Sequence, residues 1–172
     1  MISRTIRTVL IVAAFSVFSA GAGGLRAEEG DPAALAAALK NIKVTLQQGL
    51  KASERQGKPI SAKFEIEHGQ LQLSVYTQKG KDFFEVIVDL KTGAVAKAEK
   101  ISDAGDLKES AAQSAAMAKA KLSLLGAADT AAKSNAGFRA VGIVPELKDG
   151  HPTAEVNLLQ GTSFKKVAAK LD

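Results

Sequence analysis

The chain has 172 residues but no cysteine, no tryptophan, one tyrosine, two histidines and four prolines. Without cysteine there is no disulfide framework, no thiol nucleophile and no zinc–thiolate site. Stability must then come from packing alone. An aromatic content of 5% with no tryptophan leaves little from which to build a base-stacking platform. The formal net charge is +5, yet Arg4, Arg7 and Arg26 lie at the extreme N-terminus, and without them +2 remains. That residue of positive charge is mostly lysine scattered among glutamates and aspartates, as on a solvated surface, so nucleic acid is excluded as the expected partner.

What is present begins with an address. Arg4 and Arg7 precede an uncharged apolar run from Val9 to Ala20, and Ala20-Gly21-Ala22 fits a small-x-small cleavage rule, with Ala27 a later candidate. The run is shorter than the roughly 20 residues needed to span a bilayer. Residues 1–27 therefore read as a cleaved signal peptide, and the mature protein is expected to be exported, periplasmic or secreted, without stable membrane insertion.

The remainder carries a pattern that occurs twice. Gly69 and Gly150 are 81 residues apart, as are Gly80 and Gly161, and Gly57 and Gly137 are 80 apart. A period this long exceeds a solenoid unit and fits a duplicated small α+β module. In the first copy, Asp31 caps a helix with Pro32 at its first position, and Leu35, Leu39, Ile42, Leu46 and Leu50 form one apolar stripe. Three period-two strands follow, carried by Ile60–Ile66, Leu71–Val75 and Phe84–Leu90, with turns at His68-Gly69 and Lys79-Gly80. Residues 97–105 read as a connection.

The second copy opens with a long alanine-rich helix from Asp106, with Glu109 completing a capping box, to Asn135. Its sheet is less regular. Pro145 removes a backbone donor and assigns its strand to an edge or a bulge. The last segment fits either a helix face or a strand, and the offsets of Val167, Ala169 and Leu171 from Gly161, equal to those of Val86, Val88 and Leu90 from Gly80, favour the strand.

The run Gly57 to Gly69, then Leu71 to Tyr76, then Phe84 to Gly93 resembles a PepSY domain, the closing Val88-Asp89-Leu90-Lys91-Thr92-Gly93 being its most specific piece. Residues 116–172 look like a degenerate copy that keeps Asp149-Gly150 and lacks the closing Thr-Gly. The resemblance implies two cystatin-like modules, 28–100 and 101–172, each a helix on a three-stranded antiparallel sheet. It also implies restraint of a secreted peptidase, and it supplies no catalytic residue. If both helices lie on one side, the two sheets join into one.

The residues themselves point to binding and not catalysis. His68 and His151 sit at turns, Glu65 and Glu67 share a strand face with Lys63, and Ser61, Ser74 and Ser163 have no evident base. Gly21-Ala22-Gly23-Gly24 falls in the leader and cannot cradle phosphate. No cofactor or metal is expected. A protein or peptide partner would meet an exposed strand edge, or the outward face holding Tyr76, Phe83 and Ile87, unless the other module covers that face. The alternatives are a self-associating scaffold of the cell envelope and a periplasmic small-molecule or metal-responsive carrier.

Overall fold

Four tight turns set the sheet. His68-Gly69 and Asp149-Gly150 have positive φ at both positions (49° and 76°, 52° and 82°), the pattern of a type I′ hairpin turn. In the other two hairpins Gly80 and Gly161 have φ of 64° and 59° and each precedes a residue with ordinary φ, as in type II′. Both turn types match the right-handed twist of the strands they join. The repeated glycine spacing is therefore a repetition of hairpin geometry.

The computed structural model describes residues 31–172, so the expected leader lies outside the described residues. The elements are α1 (Pro32–Leu39), α2 (Leu46–Ser53), β1 (Lys58–Glu67), β2 (Gln70–Lys79), β3 (Asp82–Val88), β4 (Val95–Lys100), α3 (Ala104–Lys119), α4 (Leu124–Lys133), β5 (Arg139–Lys148), β6 (His151–Gln160) and β7 (Ser163–Lys170). The strands form one antiparallel sheet in the order β4-β3-β2-β1-β5-β6-β7.

This continuous sheet overturns the two separate cystatin-like PepSY modules. The halves join where β1 pairs β5, with Ala62 opposite Ile143 and Lys63 opposite Gly142. Two physical reasons favour the join. A free β1 edge would leave a row of backbone groups unpaired. It would also expose Ala62 and Ile143, which are fully buried together. The ladder stops short of Pro145, which has no N–H to give. Pro145 thus sits within an interior strand, opposite Ala154 on β6 and beyond the stretch that pairs with β1.

The closing motif of the resemblance is a hairpin turn into a fourth strand, not the end of a module. Asp89 Oδ1 accepts hydrogen bonds from the Lys91 and Thr92 amides and the Thr92 hydroxyl, at 3.0, 2.7 and 2.9 Å. Gly93, at φ 73°, returns the chain so that the Gly93 amide donates to the Asp89 carbonyl. Strand β4 then takes residues 97–100 of the stretch expected to be a connection.

Each expected long helix is two. Thr45 opens α2 with a full capping box: its hydroxyl accepts from the Gln48 amide at 3.1 Å, and Gln48 Oε1 accepts from the Thr45 amide at 2.8 Å. The chain before it, with Ile42, Val44 and Thr45 β-branched, leaves the helix. Asp103, not Asp106, caps α3 by accepting from the Gly105 and Asp106 amides, and Ser123 caps α4.

Helices α2 and α4 pack together on the inner face, over Ile60, Ala62, Leu73, Val75, Val86, Ile143, Val156 and Leu158, all fully buried. Ala127 and Ala128 of α4 are fully buried too, and their small size brings the helix close. The outer face belongs to α3, which packs on β5, β6 and β1. Ser61 on β1 donates to Gln113 at 2.7 Å, and Ser114 donates to Gln78 on β2 at 2.6 Å. Leu171, just past β7, is fully buried, and its carbonyl accepts from the Lys121 and Leu122 amides that link α3 to α4. The outermost strands β4 and β7 carry Lys97 and Lys100, and Lys165, Lys166 and Lys170, a common guard against edge-to-edge pairing.

Candidate partner-binding face

On β2 and β3 the alternate residues that point away from α2 are Ser74, Tyr76 and Gln78, opposite Ile87, Glu85 and Phe83 in register. The sheet thus brings Tyr76, Phe83 and Ile87 onto one face, with Glu85 between the last two on β3 and directly across from Tyr76. All three are partly buried. Phe83 and Tyr76 pack against the edge of the core, and the Phe83 carbonyl accepts from the Ile101 amide at 2.9 Å.

The N-terminal turns of α3 lean over Tyr76. Asp106, Glu109 and Gln113 from the helix face Ser61, Lys63 and Tyr76 from the sheet across a cleft of about 150 Å³. Lys63 lies 5.9 Å from the centre of the Tyr76 ring and pairs with Glu65 at 2.6 Å. The Tyr76 hydroxyl is 3.5 Å from Glu85, a long contact. Burial first, then the charges of Glu85, Glu65, Asp106 and Glu67, hold this phenol far above its ordinary range, so it stays protonated. Beyond Tyr76 the outer faces of β3 and β4 have no helix packed on them among the described residues, and Glu85, Ile87, Lys97 and Glu99 stand there.

The Glu85 carboxyl is raised above the ordinary range by burial, with Glu65 and Glu67 adding to the shift while Ser74 and Lys63 oppose it. A raised acid holds its proton more tightly in the folded state than in the unfolded chain. Stability from that proton is present in acid and is lost as pH rises through the folded value. Glu85→Gln is therefore expected to raise the urea midpoint at about pH 7 and to leave it unchanged at about pH 3, where both states are protonated. An equal midpoint at both pH values would show that Glu85 is not under strain.

The other singled-out residues stay apart. His68 belongs to the β1–β2 turn and is matched in the second half by Asp149, not by His151. His151 Nδ1 lies 2.9 Å from Asp172, whose carboxyl this hydrogen bond holds below its usual range. Glu65 is tied to Lys63, and Glu67 accepts from Gln72. Among the described residues no three histidine, aspartate or glutamate side chains are grouped to hold a metal, and no helix is long and apolar enough to cross a membrane.

Arg139 escaped the sequence patterns. Its guanidinium donates to the carbonyls of Ile42 and Val44, at 2.8 Å each, and lies 5.4 Å from the centre of the Phe64 ring. It thereby ties β5 to the α1–α2 link. A lone arginine at the start of an apolar strand was the available signal, and it does not name its partners.

No family model matches the chain, and no curated protein matches it. A solved structure, that of a candidate lipoprotein from Clostridium difficile 630, is similar over 78% of this chain and 91% of that one. The two are 13% identical with a TM-score of 0.40, a level that bears on neither fold nor function.

Proposed function

We propose that the chain is an exported, non-enzymatic binding protein that takes a protein or peptide partner on the outer face of β2, β3 and β4. The observation that carries this is the half-open face itself: α3 covers one end of it, while Ile87 and the flank of Tyr76 remain accessible among carboxylates. An apolar centre with a charged rim is the common anatomy of a protein interface. Export is supported by Arg4, Arg7 and the apolar run from Val9 to Ala20. Restraint of a peptidase came with the PepSY resemblance and loses its support with it.

Crosslinking pull-down from the native exported fraction tests the assignment. A partner recovered with the wild-type protein should be lost with Ile87→Arg and retained with Phe164→Ser, a change on the far edge strand. Equal recovery with Ile87→Arg, or recovery of the protein itself alone, would overturn the proposed face.

A further inference from the structure

A second concavity, of about 360 Å³, lies between the end of α2, the start of β1 and the α3–α4 link. It shares no residue with the face just described. Its volume falls at the lower end of small-molecule sites, about 300–1,000 Å³. Leu50, Met117 and Leu124 form a floor of well-packed side chains, each under 5% exposed. Leu122 stands at the rim with 37% of its surface exposed. This leucine is held, not frayed, because its amide donates to the buried Leu171 carbonyl at 3.0 Å. Gly126 leaves the room that Leu122 occupies, since a Cβ there would come within 2.8 Å of Leu122 Cδ1.

The rim is cationic on balance. Lys58 and Lys121 face a single carboxylate, Glu54. Lys58 donates one hydrogen bond to the Met117 carbonyl at 3.1 Å, which leaves two of its three N–H groups. The Lys121 ammonium has no partner among the described residues. An apolar floor with ammonium groups at its mouth complements a molecule with an alkyl tail and an anionic head. We infer that this groove binds a single-chain alkyl carboxylate, its tail over Leu50, Met117 and Leu122 and its carboxylate at Lys58 and Lys121.

The chain holds two methionines, Met1 and Met117, so a methyl-labelled methionine gives a near-unique reporter at the groove floor. Titration of the purified protein with dodecanoate below its micelle concentration should shift the Met117 methyl resonance saturably. Shortening the tail should weaken binding by about fourfold per methylene. Dodecylammonium, with the head charge reversed, should bind about tenfold more weakly, and Lys121→Glu should weaken dodecanoate by a similar factor. Leu122→Asp should abolish the shift while the amide spectrum stays native, which separates a lost site from a lost fold. Absence of saturation, equal affinity for dodecylammonium, or undiminished binding to Leu122→Asp would each overturn the inference. So would capture by phosphatidylglycerol vesicles without any response to monomeric dodecanoate, which would make the groove a membrane contact.

Discussion

Residues 31–100 expressed alone are expected to remain unfolded, and residues 101–172 likewise, while the whole chain unfolds in a single cooperative transition. The cut would free the β1 edge at Ala62 and Lys63 and strip α4 from α2. It would also open to water the fully buried Leu46, Leu50, Ile60 and Ile143, which form one core across the join. Losing Arg139 would leave the Ile42 and Val44 carbonyls without their donors. Fragments of about 60–70 residues bury only about 60% of the surface their unfolded chains expose, so there is little margin to absorb such losses. Amide spectra of the two pieces give the answer. Dispersed native-like spectra from either piece would restore independent modules and refute the shared core.

Arg139→Met should be among the most damaging single changes outside the apolar core, costing about 2–4 kcal/mol. The replacement keeps a long apolar stem near Phe64 but removes both donors, leaving two carbonyls of the α1–α2 link to find others. Arg139→Lys should recover a minority of the loss, because one ammonium does not reproduce a planar fork that reaches two carbonyls at 2.8 Å each. Burial lowers the guanidinium from its ordinary range, but arginine stays charged at any practical pH, so the effect should not vary between mild acid and mild base. Urea denaturation of the three proteins measures it. A loss under about 0.5 kcal/mol, the scale of an ordinary surface change, would remove Arg139 from the structural role given to it.

The strands and hairpins were legible because their signals are local. Positive-φ glycines fall where the alternation changes phase, and the alternation itself places Tyr76, Phe83 and Ile87 on one side. The final strand was legible through the equal offsets of Val167 and Val86 from their turns. The helix breaks were hidden because Leu35 to Leu50 keep a single apolar stripe across them, and Thr45 and Ser123 are caps only once the chain has turned. The join of β1 to β5 could be read only as a condition, that both helices lie on one side, since pairing between Ala62 and Ile143 leaves no mark on either strand. The side on which α3 lies could not be read. Its contacts are made through Gln113 and Ser114, polar residues on a helix with little apolar bias. The Val88 to Gly93 motif misled for a related reason. Its content is three hydrogen bonds to Asp89, a device that serves any hairpin and does not specify what the hairpin belongs to. The face was thus visible from the sequence, but its partial cover by α3, the Arg139 tie and the Lys58–Lys121 groove depend on contacts between distant parts of the chain.

The lysines on β4 and β7 bear on how the molecule behaves in a crowd. With strands ending the sheet on both sides, each copy is a tile with two open margins. Strand β7 carries three lysines and no carboxylate, while on β4 Lys97 pairs with Glu99 and Lys100 with Asp82. The excess of lysine opposes stacking of tiles into ribbons. That protection has a range of about 8 Å at physiological ionic strength and about 3 Å at molar salt. Added salt, which helps many proteins stay dispersed, should here shorten the reach of that repulsion. Dilute, weakly ionic surroundings are where the single tile is safest.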